Sequence, residues 1–252
     1  MAEVFTPSWI CNAQNNLIDK KKKKKEGVFN SEIVLSNGNK SWEVNQEKIS
    51  FPKSKTWKDY VRDKRLEISC GEAPYITSRY DSTTGEFIIV NNRIGLLDRK
   101  LRVINENEET ESEWFKATIE AFKNTYAFEW QGDSLLIARE AMLTTFIENY
   151  KQQFYKEPLI KNIQFIADII SWNVWQMDGL KGVIPNSCSD TTVVTEDLFG
   201  NKTENTKKCN GCNTNNMLNH NGNYCIIMDW YEKDPITKLI GKRIRFVDLF
   251  NT

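Results

Sequence analysis

The residue types with the plainest chemistry fall in one asparagine- and glycine-rich stretch, as Cys209-x2-Cys212-x7-His220-x4-Cys225. Thiolates and an imidazole at such spacing suit a tetrahedral zinc ion. His220 is the single histidine of the chain. The surrounding sequence has too little apolar content to fold without a staple, which favours a metal over a loop of free thiols. Cys188 stands near enough to substitute for one of the four. Cys11 and Cys70 read as buried or pocket-lining thiols.

A second set consists of acids that end short apolar runs. Tyr126-Ala127-Phe128 ends on Glu129, Trp172 to Met177 ends on Asp178, and Cys225-Ile226-Ile227-Met228 ends on Asp229. A further run, Leu66-Glu67-Ile68-Ser69, enters the tight turn Cys70-Gly71. Open α/β sheets bind ligands outside the carboxyl ends of their strands, where a carboxylate can accept both hydroxyls of a ribose. Any one of these acids is equally well a surface turn or a helix cap. Their order behind a Cys-Gly turn is the stronger signal.

These residues need elements to hold them. Thr6 can cap a helix with Pro7 in its first position, covering residues 9–18. Residues 20–56 read as polar loop, with the run Lys20 to Lys25 solvated and one short hairpin around Asn37-Gly38. A short helix is expected over 57–65. Residues 76–113 read as an insertion of turns with a strand at 87–90. Its Arg79, Arg93, Arg99 and Arg102 could contact phosphate or be ordinary surface. Apolar periodicity predicts helices over 114–124, 133–153 and 159–170. Strands are expected over 172–178, 224–230 and 244–250. In a strand, Trp172 and Trp175 would face opposite sides.

Composition bounds the rest. The chain has 252 residues, 40% of them hydrophobic, enough for one α/β domain with additions. Thirty-four basic residues balance 34 acidic ones, so the chain as a whole is no electrostatic magnet for nucleic acid, and any such contact needs a local patch such as Lys242, Arg243 and Arg245. No stretch is long and apolar enough to span a membrane, and the first residues lack the apolar core of a signal peptide, so the expected location is the cytoplasm.

With these residues in view, a family resemblance emerges. Phe5-Thr6-Pro7 resembles the element that opens adenine-N6 DNA methyltransferases of restriction–modification systems. Leu66 to Gly71 is similar to their cofactor turn. Glu129 with the following Leu136-Ile137-Ala138-Arg139-Glu140 resembles their second strand and helix, and Asn173 through Asp178-Gly179-Leu180 their third. The resemblance implies a Rossmann-like α/β sheet that binds S-adenosylmethionine through Phe5, Thr6, Pro7, Cys70, Gly71, Glu129 and Asp178. It also implies double-stranded DNA as substrate, with an adenine flipped out of the duplex.

The chain departs from that pattern. Its turn has one glycine, followed by Glu72, Ala73 and Pro74. The insertion at 76–113 separates the first two strands. The catalytic position after the fourth strand reads Asp229-Trp230-Tyr231, with an acid and aromatics but without the family's two prolines. Little chain remains after it for the strands that usually follow, so the sheet is expected to be truncated. The expected division is a cofactor-binding part over 1–185, a zinc-binding insertion over 186–226 and sheet-completing strands over 224–252. Two functional readings follow. One is an adenine-N6 methyltransferase. The other is an inactive methyltransferase-like subunit or regulator that acts by binding DNA or a partner chain.

Overall fold

The computed structural model describes residues 5–23, 27–196, 202–238 and 240–250. It is a mixed α/β structure around a small parallel sheet. Strands β3 (Arg65–Ile68), β4 (Thr125–Glu129) and β5 (Val174–Gln176) pair in that order, with Leu66 opposite Tyr126 and Ala127 opposite Val174. Each crossover is helical. Helices α3 (Leu96–Asn105) and α4 (Glu111–Lys123) join β3 to β4, and α5 (Gly132–Phe154) and α6 (Ile160–Asn173) join β4 to β5.

The alternation of the strands sorts their side chains between two cores. Ala127 and Val174 face the helices, where Trp114, Phe122, Phe146 and Tyr150 are fully buried. Phe128 faces the other way and meets Met177, Cys225, Ile227 and Phe246. That second face is covered by an antiparallel hairpin, β8 (Ile226–Lys233) with β9 (Ile240–Arg245). The sequence places a fourth and fifth strand of the sheet near these positions. The structure instead lays them across it as a separate two-stranded unit, and residues 246–250 form a 3-10 turn. Two more hairpins, β1 (Asn30–Val34) with β2 (Lys40–Val44) and β6 (Thr191–Glu196) with β7 (Lys202–Lys207), stand apart from the sheet. The first turns at Asn37 and Gly38, as the sequence predicts.

Several local expectations are corrected. Helix α1 (Ser8–Lys23) runs into the lysine run rather than stopping before it; Lys24 and Lys25 lie outside the described residues. Helix α2 (Trp57–Val61) starts at a Thr56–Asp59 capping box and is shorter than expected. Residues 76–113 are not a loop insertion. They hold α3, whose Leu97, Leu101 and Ile104 repeat at helical spacing and are fully buried. Trp172 still belongs to α6, so its ring meets that of Trp175 at 6.3 Å instead of facing away.

The arginines of that segment are structural. Arg99 is 1% exposed and donates to Asp19 at 2.7 Å, and Arg65 donates to the same carboxylate at 3.3 Å. The Tyr60 hydroxyl completes the group at 3.2 Å. Arg79 and Arg93 both pair with Glu148 on α5. Arg102 pairs with Glu106 and reaches the carbonyl of Phe29. Buried charges of this kind are tolerated because each is paired and hydrogen-bonded. The network clamps α1 and α3 against the first strand.

Candidate metal centre and strand-end cleft

Four side chains converge beside β8: Cys188, Cys209, Cys212 and His220, whose ligand atoms all lie within 4.8 Å of one another. The His220 Nδ1 atom is 3.5 Å from Cys188 Sγ, 3.7 Å from Cys209 Sγ and 3.6 Å from Cys212 Sγ. Zinc bond lengths of about 2.3 Å to sulfur and 2.0–2.1 Å to nitrogen give a tetrahedral N–S edge of about 3.6 Å. The three distances therefore match the edges that a common ion would impose.

Local structure explains the convergence. Cys209 is the residue before the short helix α7 (Asn210–Thr214), so Cys212 falls one turn along on the same side. The Asn221 amide donates to Cys209 Sγ at 3.3 Å. That bond and the Cys212 amide hold the Cys209 thiol at about 6, well below its ordinary value. Cys188 shifts upward, first through desolvation and then through its two sulfur neighbours. His220 is fixed by its own amide, which donates to the Tyr224 hydroxyl at 2.9 Å. Gly222 lets the chain pass close behind Cys188, since a Cβ there would lie 2.5 Å from Ser187 Oγ and 3.0 Å from Cys188 Sγ.

Cys225 does not belong to this cluster. It is fully buried against Phe128, Met177, Ile227 and Phe246, and desolvation pushes its thiol up to about 12. It directly precedes β8, where the alternation turns Cys225 and Ile227 inward toward the sheet. Cys188 takes the fourth place. Spacing alone cannot separate the two cysteines, but neighbours can. Cys225 stands in the apolar run Tyr224 to Met228, whereas Cys188 lies between serines.

The second site is a cleft of about 200 Å³ at the carboxyl ends of β3 and β4. Phe5, Thr6, Cys70, Gly71 and Glu129 all line it, together with Glu67, Glu72, Ser82 and Ser134. Its floor is a turn with three left-handed residues, Ser69, Gly71 and Ala73. Two of these are not glycine, a conformation that costs on the order of 1–3 kcal/mol each and clusters at functional sites. Glu129 is 7% exposed and holds the turn. Its Oε2 accepts from the Gly71 amide at 2.6 Å, and its Oε1 from the Trp130 and Gln131 amides at 2.8 and 3.0 Å. Glu67 has a buried Oε2 with no hydrogen-bond partner. Desolvation and the neighbouring Glu129 charge raise its pKa well above the ordinary carboxylate range. Burial raises the Cys70 thiol, with Glu67 and Glu129 adding to the effect.

The remaining expected residues lie elsewhere. Pro7 precedes α1, and its carbonyl accepts from Ile10. Asp178 is outside the cleft lining, and its Oδ1 accepts from the Leu180 and Lys181 amides, closing a turn. Asp229, Trp230 and Tyr231 sit at the other end of the sheet. Trp230 Nε1 donates to Asn173 Oδ1 at 2.8 Å, and the Tyr231 hydroxyl meets Asn124 and Glu120, residues that precede β5 and β4. Asp229 Oδ1 accepts from the Tyr231 amide at 3.1 Å.

No family model, curated protein or solved structure matches this chain. No helix among the described residues is long and apolar enough to cross a membrane.

Proposed function

We propose that this chain is a zinc-stapled, S-adenosylmethionine-binding module of the adenine-N6 DNA methyltransferase type, acting as one subunit of a DNA-modifying assembly. The observation that carries the reading is the cleft. Five residues singled out separately along the sequence, Phe5, Thr6, Cys70, Gly71 and Glu129, meet at the carboxyl ends of two parallel strands, where such sheets bind ligands. Bound there, S-adenosylmethionine would supply an activated methyl group. The chain's own part is to hold it. A carboxylate offers about four lone-pair positions, and three amides already occupy Glu129. One ribose hydroxyl would therefore take the remaining position, and the second would displace one of the three amides.

The subunit reading is favoured over a complete enzyme by the position of Asp229, Trp230 and Tyr231. These groups engage Asn173, Asn124 and Glu120, away from the cleft. A flipped adenine must meet the methyl donor and an amine acceptor together. The catalytic end would then come from a partner chain. The metal is assigned as zinc in a structural role. Three thiolates and one imidazole fill a tetrahedron and leave no open position for water.

Calorimetric titration with S-adenosylmethionine and with its demethylated product tests the cleft. Binding of either supports it, and binding of neither removes the reading. Radiolabelled methyl transfer to double-stranded DNA then separates subunit from enzyme. Robust turnover by the isolated chain that survives Asp229→Ala would overturn the subunit assignment.

A further inference from the structure

We infer that metal occupancy of the Cys188, Cys209, Cys212 and His220 centre fixes the geometry of the cleft, and that the turn closed by Asp178 is the element joining them. The inference deepens the reading above and rests on its assignment of zinc, but it requires no bound cofactor.

The link is a series of hydrogen bonds, most of them between backbone groups. On the metal side, the His220 amide donates to the Tyr224 hydroxyl, and the Ile184 amide donates to the Asn223 carbonyl at 2.8 Å. Val183 and Tyr224 form an antiparallel bridge. The next step leads to Asp178, whose amide donates to the Val183 carbonyl at 2.8 Å. The Gly182 amide donates back to the Asp178 carbonyl at 2.8 Å, while the Gly182 carbonyl accepts from Cys225 at 3.0 Å. The Asp178 carboxylate closes the turn by accepting from Leu180 and Lys181.

On the cleft side, the same turn touches both walls. The Met177 amide donates to the Glu129 carbonyl at 2.8 Å. Gly179 packs on the last residue of β3: a Cβ there would lie 2.6 Å from Ile68 Cγ2. Ile68 leads directly into Ser69 and Gly71. Residues 177–179 therefore abut the strand that carries Glu129 and the strand that enters the left-handed turn. The metal-side residues have little apolar packing of their own, so without an ion Asn223 and Tyr224 lose their hold at His220, and the turn loses the Ile184 bond and the Val183–Tyr224 bridge that brace it on that side, while Cys225 stays seated in the second core. Asp178 is in this view a positioning residue. Coupling of this kind is reciprocal, so a ligand in the cleft would tighten zinc by the factor that zinc tightens the ligand.

Hydrogen exchange on the full chain, zinc-loaded and chelated, tests this. Chelation should speed exchange in peptides over 186–225. It should also speed those over 66–72 and 125–131 by about 5- to 150-fold, the usual range of such coupling, while α5 is unchanged. Asp178→Ala should keep one zinc per chain, exchange quickly over 66–72 in both states and no longer respond to chelation. Asp178→Asn, which retains an acceptor oxygen, should restore the response. Three results would overturn the inference: cleft peptides indifferent to chelation while 186–225 opens, a chain that takes up no zinc, or opening of α5 together with the cleft. Failure of the cofactor titration alone would leave it standing.

Discussion

The metal centre and the cleft are built on opposite principles. In the cleft the backbone comes first. A three-stranded parallel ladder fixes where Gly71 and Glu129 stand, and helices pinned by Asp19, Arg65 and Arg99 hold the ladder. In the metal centre the side chains come first. Cys188, Cys209, Cys212 and His220 approach one another across a segment with almost no core, and the backbone follows them. One site is built by the fold and would be tuned by the metal, whereas the other would need an ion to form at all. They should therefore fail in different ways.

The largest difference should come from the ion. Structural zinc contributes apparent binding energies of about 10–16 kcal/mol near neutral pH. Cys209→Ser should abolish stoichiometric zinc by elemental analysis and open the 186–225 region to protease. Cys225→Ser is the sharpening control, because Cys225 is buried in the second core away from the ligands. It should keep one zinc per chain while losing about 1–3 kcal/mol for burying an unpartnered hydroxyl. If the two variants behave the other way round, the ligand set is wrong.

The fold-dependent site should instead yield to Asp19→Ala. Removing one member of a buried, hydrogen-bonded charge group costs about 3–5 kcal/mol. Urea denaturation should show that loss with the zinc content of the folded protein unchanged. A loss below about 0.5 kcal/mol, the level of an ordinary surface change, would mean that the clamp on β3 contributes little.

A smaller effect is expected at Glu129. Glu129→Gln keeps the shape but removes the charge, and hydrogen bonds to charged groups contribute about 1.5–3 kcal/mol. S-adenosylmethionine affinity should fall about 10- to 150-fold in calorimetry. A variant that binds as tightly as the parent would show that the ligand does not use this carboxylate.

The gentlest probe is acid. The Cys209 thiol is held at about 6, well below the ordinary thiol value, chiefly by the Asn221 and Cys212 amides. A depressed pKa contributes stability that is complete above the ordinary value and is lost as pH falls through the folded one. Protons compete with the metal for this thiolate and for the other ligands, so a zinc-sensitive dye should report release that grows as the pH is lowered. Zinc content that does not change on acidification would contradict the thiolate assignment.

The two regions also differ in how legible they were in the sequence. The strand-ending Glu129 and the Cys70-Gly71 turn could be found because period-2 apolar runs mark strands, and the order of the runs marks the sheet. The long helices were legible from the other period, apolar residues three and four apart. Helix α3 was not, because Asp98, Arg99, Lys100 and Arg102 interrupt its apolar stripe and read as surface. Their partners, Asp19 and Glu106 among them, are distant in sequence or unremarkable on their own. The β8–β9 hairpin was legible as two strands, but which surface it would cover was not, since that depends on packing against Phe128 and Phe246. At the metal centre, residue types were enough to suggest an ion and three of its ligands. The choice between Cys188 and Cys225 needed the inward alternation at the start of β8.

The β6–β7 hairpin leaves the chain just after Cys188 and returns just before Cys209. Its two feet stand on neighbouring ligands of the same centre, so with the ion in place the excursion between them is a closed loop. Closing a loop twice as long costs only about 0.6 kcal/mol more. Evolution or an engineer could therefore lengthen, shorten or replace this ribbon without moving either foot. The metal centre thus works as a socket, one into which a reporter or an affinity tag can be grafted while the sheet beneath keeps its register.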